Sequence, residues 1–247
     1  SLKKENFVDG GTATGEMLDF LAECLRYGIS ICVAGATSSG KTTLAGWLLT
    51  TIPDGKRIFT IENGSRELAL VREKDGKVTN SVIHTLTRYS ENEKQNIDQD
   101  MLLDMALRFN PEIICVGEMR SSEAYTAQES ARTGHTVLTT IHSNSCESTY
   151  SRMRTLCKRK YDMDDEVLMD LVTEAFPIVV FTKQLENRKR KLMEIMECEI
   201  TADGKRKFNP LYRYEITENR MEGDRFIING THKKVCGISE SLKKRFL

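Results

Sequence analysis

The stretch GATSSGKT at residues 35–42 constrains the fold of this chain more than any other. Gly35, four intervening residues, Gly40, Lys41 and Thr42 stand between two different periodicities. Before them ISICVAGA (29–36) is a continuous apolar run, as a strand covered on both faces requires. After them TTLAGWLLTTIP (42–53) is helical and stops before Pro53. A glycine-rich turn between a buried strand and a helix is the setting in which this spacing makes a phosphate loop. The glycines let backbone N–H groups turn toward oxyanion oxygens, and the helix N-terminus adds partial positive charge. Gly35, Thr37, Ser38, Ser39, Gly40, Lys41, Thr42 and Thr43 are therefore the candidate nucleotide-binding residues. Lys41 is expected to reach the β and γ phosphates, and the Thr42 hydroxyl to ligate magnesium.

The rest of the chain alternates in the way such a loop demands. EMLDFLAECLRYG (16–28) places Met17, Leu18, Leu21 and Leu25 on one helical face and ends at a glycine. KRIFTIE (56–62), EIICVGEMR (112–120) and TVLTTIH (136–142) read as strands, with shorter strands expected at RELALV and NSVIHTL. Helices are expected over 98–109, over 121–134 with a serine start, and across most of 146–176. Strands alternating with helices imply a wound, mainly parallel sheet. After Pro177 the pattern changes to short strand-like runs with polar turns, which predicts an antiparallel β-rich tail. The expected divisions are a linker end and first helix at 1–28, an α/β core at 29–176 and a C-terminal extension at 177–247.

Strand ends in a wound sheet converge on the ligand. EIICVGEMR delivers a lone acid, Glu118, to its tip, with Gly117 before it and Arg120 after it. Many hydrolysing phosphate-loop proteins end this strand in two acids, one for the metal and one for the water. A second carboxylate is therefore expected elsewhere, and Glu62 ends the strand that follows the loop helix. The competing reading makes Glu62 part of a turn with Asn63 and Gly64. His135 and His142 sit at opposite ends of one strand, so His142 is the candidate at the ligand end and His135 closes the helix–strand turn. His84 and His232 carry no partner pattern and are read as structural.

Taken in order, GATSSGKTTL, TIENGSREL, LRFNPEIICVGEMRSSEA and TGHTVLTTIHSNS resemble the Walker A, Asp box, atypical Walker B and His box of the secretion ATPase superfamily. These are the hexameric motors of type II and type IV secretion, type IV pili and Tad pili. The resemblance covers roughly residues 10–200, and the tail DRFIINGTHKKVCGISESLKKRF is similar to the Tad and conjugation branch. It implies a RecA-like ATPase using ATP and magnesium. Glu62 would be the base that activates water, and Glu118, with Thr42, would hold the magnesium and its water shell. His142, His135, Arg120 and Arg88 fall on family positions. Two positions depart from the family: Asn63 stands for the Asp-box aspartate, and the arginine-x-arginine-proline ahead of Walker B reads Arg108-Phe109-Asn110-Pro111. The resemblance also implies a preceding domain that closes a homo-hexamer and supplies arginines across the subunit boundary. This chain is expected to be the motor piece, monomeric and slow when isolated.

Composition bounds the partners. Acids and bases balance at 36 each, which gives no support to direct nucleic-acid binding or to anionic membranes. No apolar run is long enough to span a bilayer. The seven cysteines form no Cys-x-x-Cys pair, so the zinc site of the type II branch is not expected and a reducing compartment is. The expected location is cytoplasmic, peripheral to the inner face of the bacterial membrane, against platform proteins of an export machine. A motor acting on DNA and a nucleotide-sensing scaffold with weak hydrolysis stay open as alternatives. A small-molecule kinase is disfavoured, because no arginine-rich lid lies between the strands.

Overall fold

Apolar runs with no polar alternation must be covered on both faces, and the computed structural model of the protein, which describes residues 2–247, buries them so. Helices α1 (Lys4–Asp9) and α2 (Gly15–Arg26) precede strand β1 (Ile31–Gly35), which is buried at all five positions. Thr14 caps α2 by accepting the Met17 N–H, and Met17, Leu18, Leu21 and Leu25 form its buried face, as their spacing predicts. The phosphate-loop stretch leads into α3 (Lys41–Thr50). Then come β2 (Ile58–Glu62), the small hairpin β3 (Glu73–Lys74) and β4 (Lys77–Val78), and β5 (Val82–Leu86). Helix α4 (Gln99–Ala106), strand β6 (Ile113–Met119), helix α5 (Glu123–Arg132) and strand β7 (Thr136–Ile141) complete the alternation. Two helices, α6 (Cys146–Cys157) and α7 (Asp165–Ala175), lead to β8 (Ile178–Gln184), β9 (Arg190–Ile200), β10 (Arg206–Glu222), β11 (Arg225–Lys234) and the terminal helix α8 (Glu240–Lys243).

Among the described residues nine strands share one sheet in the order β11-β10-β9-β8-β1-β7-β6-β2-β5. The pairs from β8 through β1, β7, β6 and β2 to β5 are parallel, and β9, β10 and β11 run antiparallel. Alternate strand residues feed two cores. Ile31, Val33, Ile113 and Leu138 face α2 and α3. Cys32, Ala34, Ile114, Val116 and Val137 face the layer that contains α4 to α7. The strand order sets the tips of β1, β7, β6 and β2 side by side, and each carries a residue singled out by its sequence position. Among the described residues no helix is long and apolar enough to cross a membrane.

Three expectations change. The segment RELALV makes no ladder; Leu68 and Leu70 are buried against α3 in an irregular segment, so their alternation reports packing rather than a strand. The strands after Pro177 are long rather than short, and the first, β8, pairs in parallel with β1 before the chain reverses into the antiparallel strands. Helix α5 does have Ser122 at its N-cap, but the serine side chain caps nothing. Glu123 fixes the turn ahead of the helix instead: its Oε1 accepts the backbone N–H groups of Arg120 (2.5 Å) and Ser121 (2.9 Å), which precede the N-cap.

Candidate active site

The loop at 35–42 is shaped by its glycines and one strained serine. Gly40 caps α3 at φ 98°, and Ser38 adopts φ 63°, both in the left-handed region. A side chain at Gly35 would collide with Ser39 Oγ and with the Thr182 carbonyl of β8. The loop is thus fastened to the strand beside it, and Ser39 Oγ also lies 3.0 Å from Thr182 Oγ1. Lys41 is 7% exposed, and its Nζ donates to the carbonyls of Gly35 (3.0 Å) and Ala36 (2.8 Å). Burial pushes its pKa down, while the charge of Glu118 opposes the shift. Thr37 and Ser38 are exposed on the loop, and Thr42 and Thr43 are exposed in the first turn of α3.

Both carboxylates reach one cavity of about 90 Å³, lined by Thr42, Glu62, Asn63, Gly117, Glu118 and Arg120 among others. Glu62 is 4% exposed. Its Oε1 accepts the N–H groups of Glu67 (2.7 Å) and Leu68 (3.0 Å), whereas Oε2 is buried with no partner among the described residues. One oxygen is held and the other is left to accept, the arrangement a general base needs. The Asn63 side chain accepts from Thr87 Oγ1 at 2.5 Å. Glu118 is the opposite case, with both oxygens engaged: His142 Nε2 lies 3.0 Å from Oε1 and Arg120 donates to Oε2 at 2.7 Å. That hydrogen bond and the Glu118 charge push the Arg120 pKa up.

Gly117 explains how β6 delivers Glu118. The β6–β7 register shifts between Val116 and Met119, and Thr140 Oγ1 donates to the Gly117 carbonyl at 2.6 Å. A Cβ on Gly117 would meet the Ile61 carbonyl at 3.1 Å and Glu62 Cα at 3.6 Å. A glycine before the lone acid therefore lets β6 close against the end of β2 that carries Glu62.

Sequence reasoning brought together the phosphate loop, Glu62, Glu118, Arg120 and His142, and the structure sets them around one cleft. Arg88 is not among them; it is exposed, pairs by its backbone with Ile97, and does not line the cavity. His135 lies at the far end of β7, with its backbone N–H on the Ser130 carbonyl. His84 carries no partner pattern in the sequence, yet its Nδ1 sits 2.8 Å from Thr60 Oγ1 and 4.0 Å from Glu62 Oε2. Burial first, then the Arg66 charge, pushes its pKa down, so the ring facing Glu62 is neutral near pH 7. The Thr60–His84 register across β2 and β5 creates this proximity, and no local pattern announces it. No sequence pattern marks Arg190 either. It comes from β9 and its Nε donates to the Ser38 carbonyl at 2.8 Å.

The chain as a whole is similar to proteins of known description. The chain is 27% identical over 199 residues to protein VirB11 of Rhizobium radiobacter, covering 78% of this chain and 54% of that protein. It is 31% identical over 183 residues to the type IV secretion system protein PtlH of Bordetella pertussis, covering 72% of this chain and 52% of that one. It thus spans about half the length of these curated relatives. Among solved structures, the VirB11 ATPase of Brucella suis in complex with sulphate superposes with a TM-score of 0.63 at 25% identity, over 79% of this chain and 56% of that one. The wound sheet is thereby that of the RecA-like secretion ATPases. The family profile described as type II/IV secretion system protein matches residues 3–231, so this chain belongs to that family.

Proposed function

We propose that the chain is the magnesium-ATP-hydrolysing motor of a secretion, pilus-assembly or conjugation machine. The observation that carries this reading is the shared cleft: Thr42, Glu62 and Glu118 arrive from neighbouring elements at the mouth of one phosphate loop. The donor set suits a hard cation and a polyphosphate, with one hydroxyl, carboxylate oxygens and a lysine whose Nζ rests only on carbonyls. Magnesium, when bound, neutralises charge developing between the β and γ phosphates. Thr42 and Glu118 would hold it. Lys41 would exchange the Gly35 and Ala36 carbonyls for phosphate oxygens. Glu62 would take the proton of the attacking water on Oε2, the oxygen without a protein partner. His142 and Arg120 orient Glu118, one on each oxygen. Positioning and charge neutralisation of this kind are most of what phosphoryl transfer requires.

Support comes from relatives described as secretion proteins, and from a Brucella suis relative described as an ATPase and solved with sulphate, an anion of phosphate shape. By the same likeness the full-length protein is taken to act as a homo-hexamer at the cytoplasmic face of the membrane, pushing on platform proteins rather than on nucleic acid. The test is turnover by the full-length protein. It should hydrolyse ATP with magnesium and lose nucleotide affinity by tenfold or more, about 1.4 kcal/mol, in Lys41→Ala. No turnover, with nucleotide still bound, would favour a sensing scaffold, and stimulation by DNA would favour a DNA-acting motor.

A further inference from the structure

Two of the cavities beside the phosphate loop and the first turn of α3 lie on either side of Gly40 and Thr42. The one toward β2 and β6 contains Thr42, Glu62 and Glu118. The other, about 180 Å³, lies on the opposite side, where Gly40, Thr43, Leu44 and Phe7 line it together with Arg190. Arg190 is the only charged side chain among the described residues of that lining. Consider a nucleotide with its terminal phosphate at Thr42 and Glu118 that lies back along the loop toward Gly40 and Thr43. Its α phosphate and ribose then enter this second cavity.

Arg190 is held ready at that entrance. It opens β9, in register with Gln184 of β8, and β8 pairs with β1, the strand that leads into the loop. The hairpin turn is closed by bonds between Leu185 and Lys189 and between Arg188 and Leu185. The side chain lies along the loop, so that a Cβ on Gly40 would meet Arg190 Cδ at 3.3 Å. Its Nε is spent on the Ser38 carbonyl, while the two Nη groups have no partner among the described residues. A guanidinium anchored by Nε presents the remaining donors as a planar fork, which matches phosphate oxygens in pairs. The neighbouring Lys191 cannot share the task, because its Nζ donates to the Gly11 carbonyl on the other face of β9.

We propose that Arg190 is a nucleotide-binding residue that grips the α-phosphate and ribose end from the C-terminal hairpin. This rests on the phosphate-loop reading above. The reacting phosphate lies on the far side of the loop, so the contact is common to ATP and ADP. It should set affinity rather than the chemical step.

The experiment measures ATP and ADP affinity by calorimetry, with steady-state KM and kcat, on the full-length protein and four variants. Arg190→Ala should weaken both nucleotides by the same factor, about tenfold, and raise KM accordingly. Arg190→Lys should recover part of the loss. Arg190→Gln keeps a donor for the Ser38 carbonyl but no charge, and should remain weak. Wild-type affinity in Arg190→Gln would mean that the residue only clasps the loop, and a fall confined to kcat would place it at the reacting phosphate; either result overturns the proposal. Lys41→Ala separates the two readings. If it weakens binding while Arg190→Ala does not, Arg190 alone is misassigned. If Lys41→Ala leaves affinity unchanged, the phosphate-loop reading falls and this inference with it.

Discussion

Replacing Glu62 in two ways separates chemistry from scaffolding. In Glu62→Gln the amide oxygen can accept the Glu67 and Leu68 N–H groups that Oε1 accepts now, at 2.7 and 3.0 Å. The amide nitrogen then falls on the side of His84, 4.0 Å from Oε2. The Glu67 and Leu68 N–H groups keep their acceptor, and the new cost is the amide donor left without one, about 1–3 kcal/mol. Only proton acceptance is lost, and a positioned base contributes roughly 10²–10⁴ in rate, or about 2.7–5.4 kcal/mol of barrier. Glu62→Ala loses the same chemistry but leaves both N–H groups bare; at about 1–3 kcal/mol for each unsatisfied group it should cost at least about 2 kcal/mol of stability. The assays are phosphate release under saturating magnesium-ATP, nucleotide affinity by calorimetry and urea unfolding, on the full-length protein. Glu62→Gln should bind nucleotide within about threefold of wild type and turn over at 1% or less, since proton acceptance is all it lacks. Turnover above about a tenth of wild type would refute the assignment and make Glu118 the next base to test.

Three further outcomes follow from the same geometry. Glu118→Gln should weaken the Arg120 and His142 contacts and raise the magnesium concentration needed for half-maximal turnover, whereas Glu62→Gln leaves that concentration unchanged. Gly117→Ala puts a methyl 3.1 Å from the Ile61 carbonyl, so the end of β2 must retreat by a few tenths of an ångström; turnover should fall while urea stability changes by only about 1 kcal/mol. Glu197, buried beneath α8 with its oxygens on the Ser239 N–H and hydroxyl, has its pKa raised, first by burial. For a raised carboxyl the stabilising contribution is complete below the ordinary carboxylate range and is lost as pH rises through the folded value. Urea unfolding of the wild type should therefore show stability falling on that upward path, and Glu197→Gln should flatten it.

The site was legible in the sequence where chemistry sits at the tip of a patterned strand. Glu62, Glu118 and His142 each end an apolar run, and parallel strands carry their tips to one edge. What stayed hidden depends on pairing between distant segments. His84 meets Glu62 only because β5 pairs with β2 in one particular register, and Arg190 meets Ser38 across 152 positions of chain. At α5 the serine start has the right residue type without the bond: Ser122 is the N-cap but its side chain makes no cap bond, and Glu123 holds the N–H groups of Arg120 and Ser121 just before the helix. The apolar alternation at 66–71 is real, yet it faces α3 rather than a neighbouring strand, and alternation alone cannot tell those apart.

The proposed chemistry divides its labour between two carboxylates on different strands, Glu62 and Glu118. A crystal structure of the full-length protein with magnesium and a non-hydrolysable ATP analogue tests it most directly. The metal is expected on Thr42 Oγ1 with Glu118 in contact with it or its waters, and a water is expected between the γ phosphate and Glu62 Oε2, within hydrogen-bond reach of both. A metal held by Glu62, or a γ phosphate with Glu62 turned away and Glu118 on the attacking water, would contradict it.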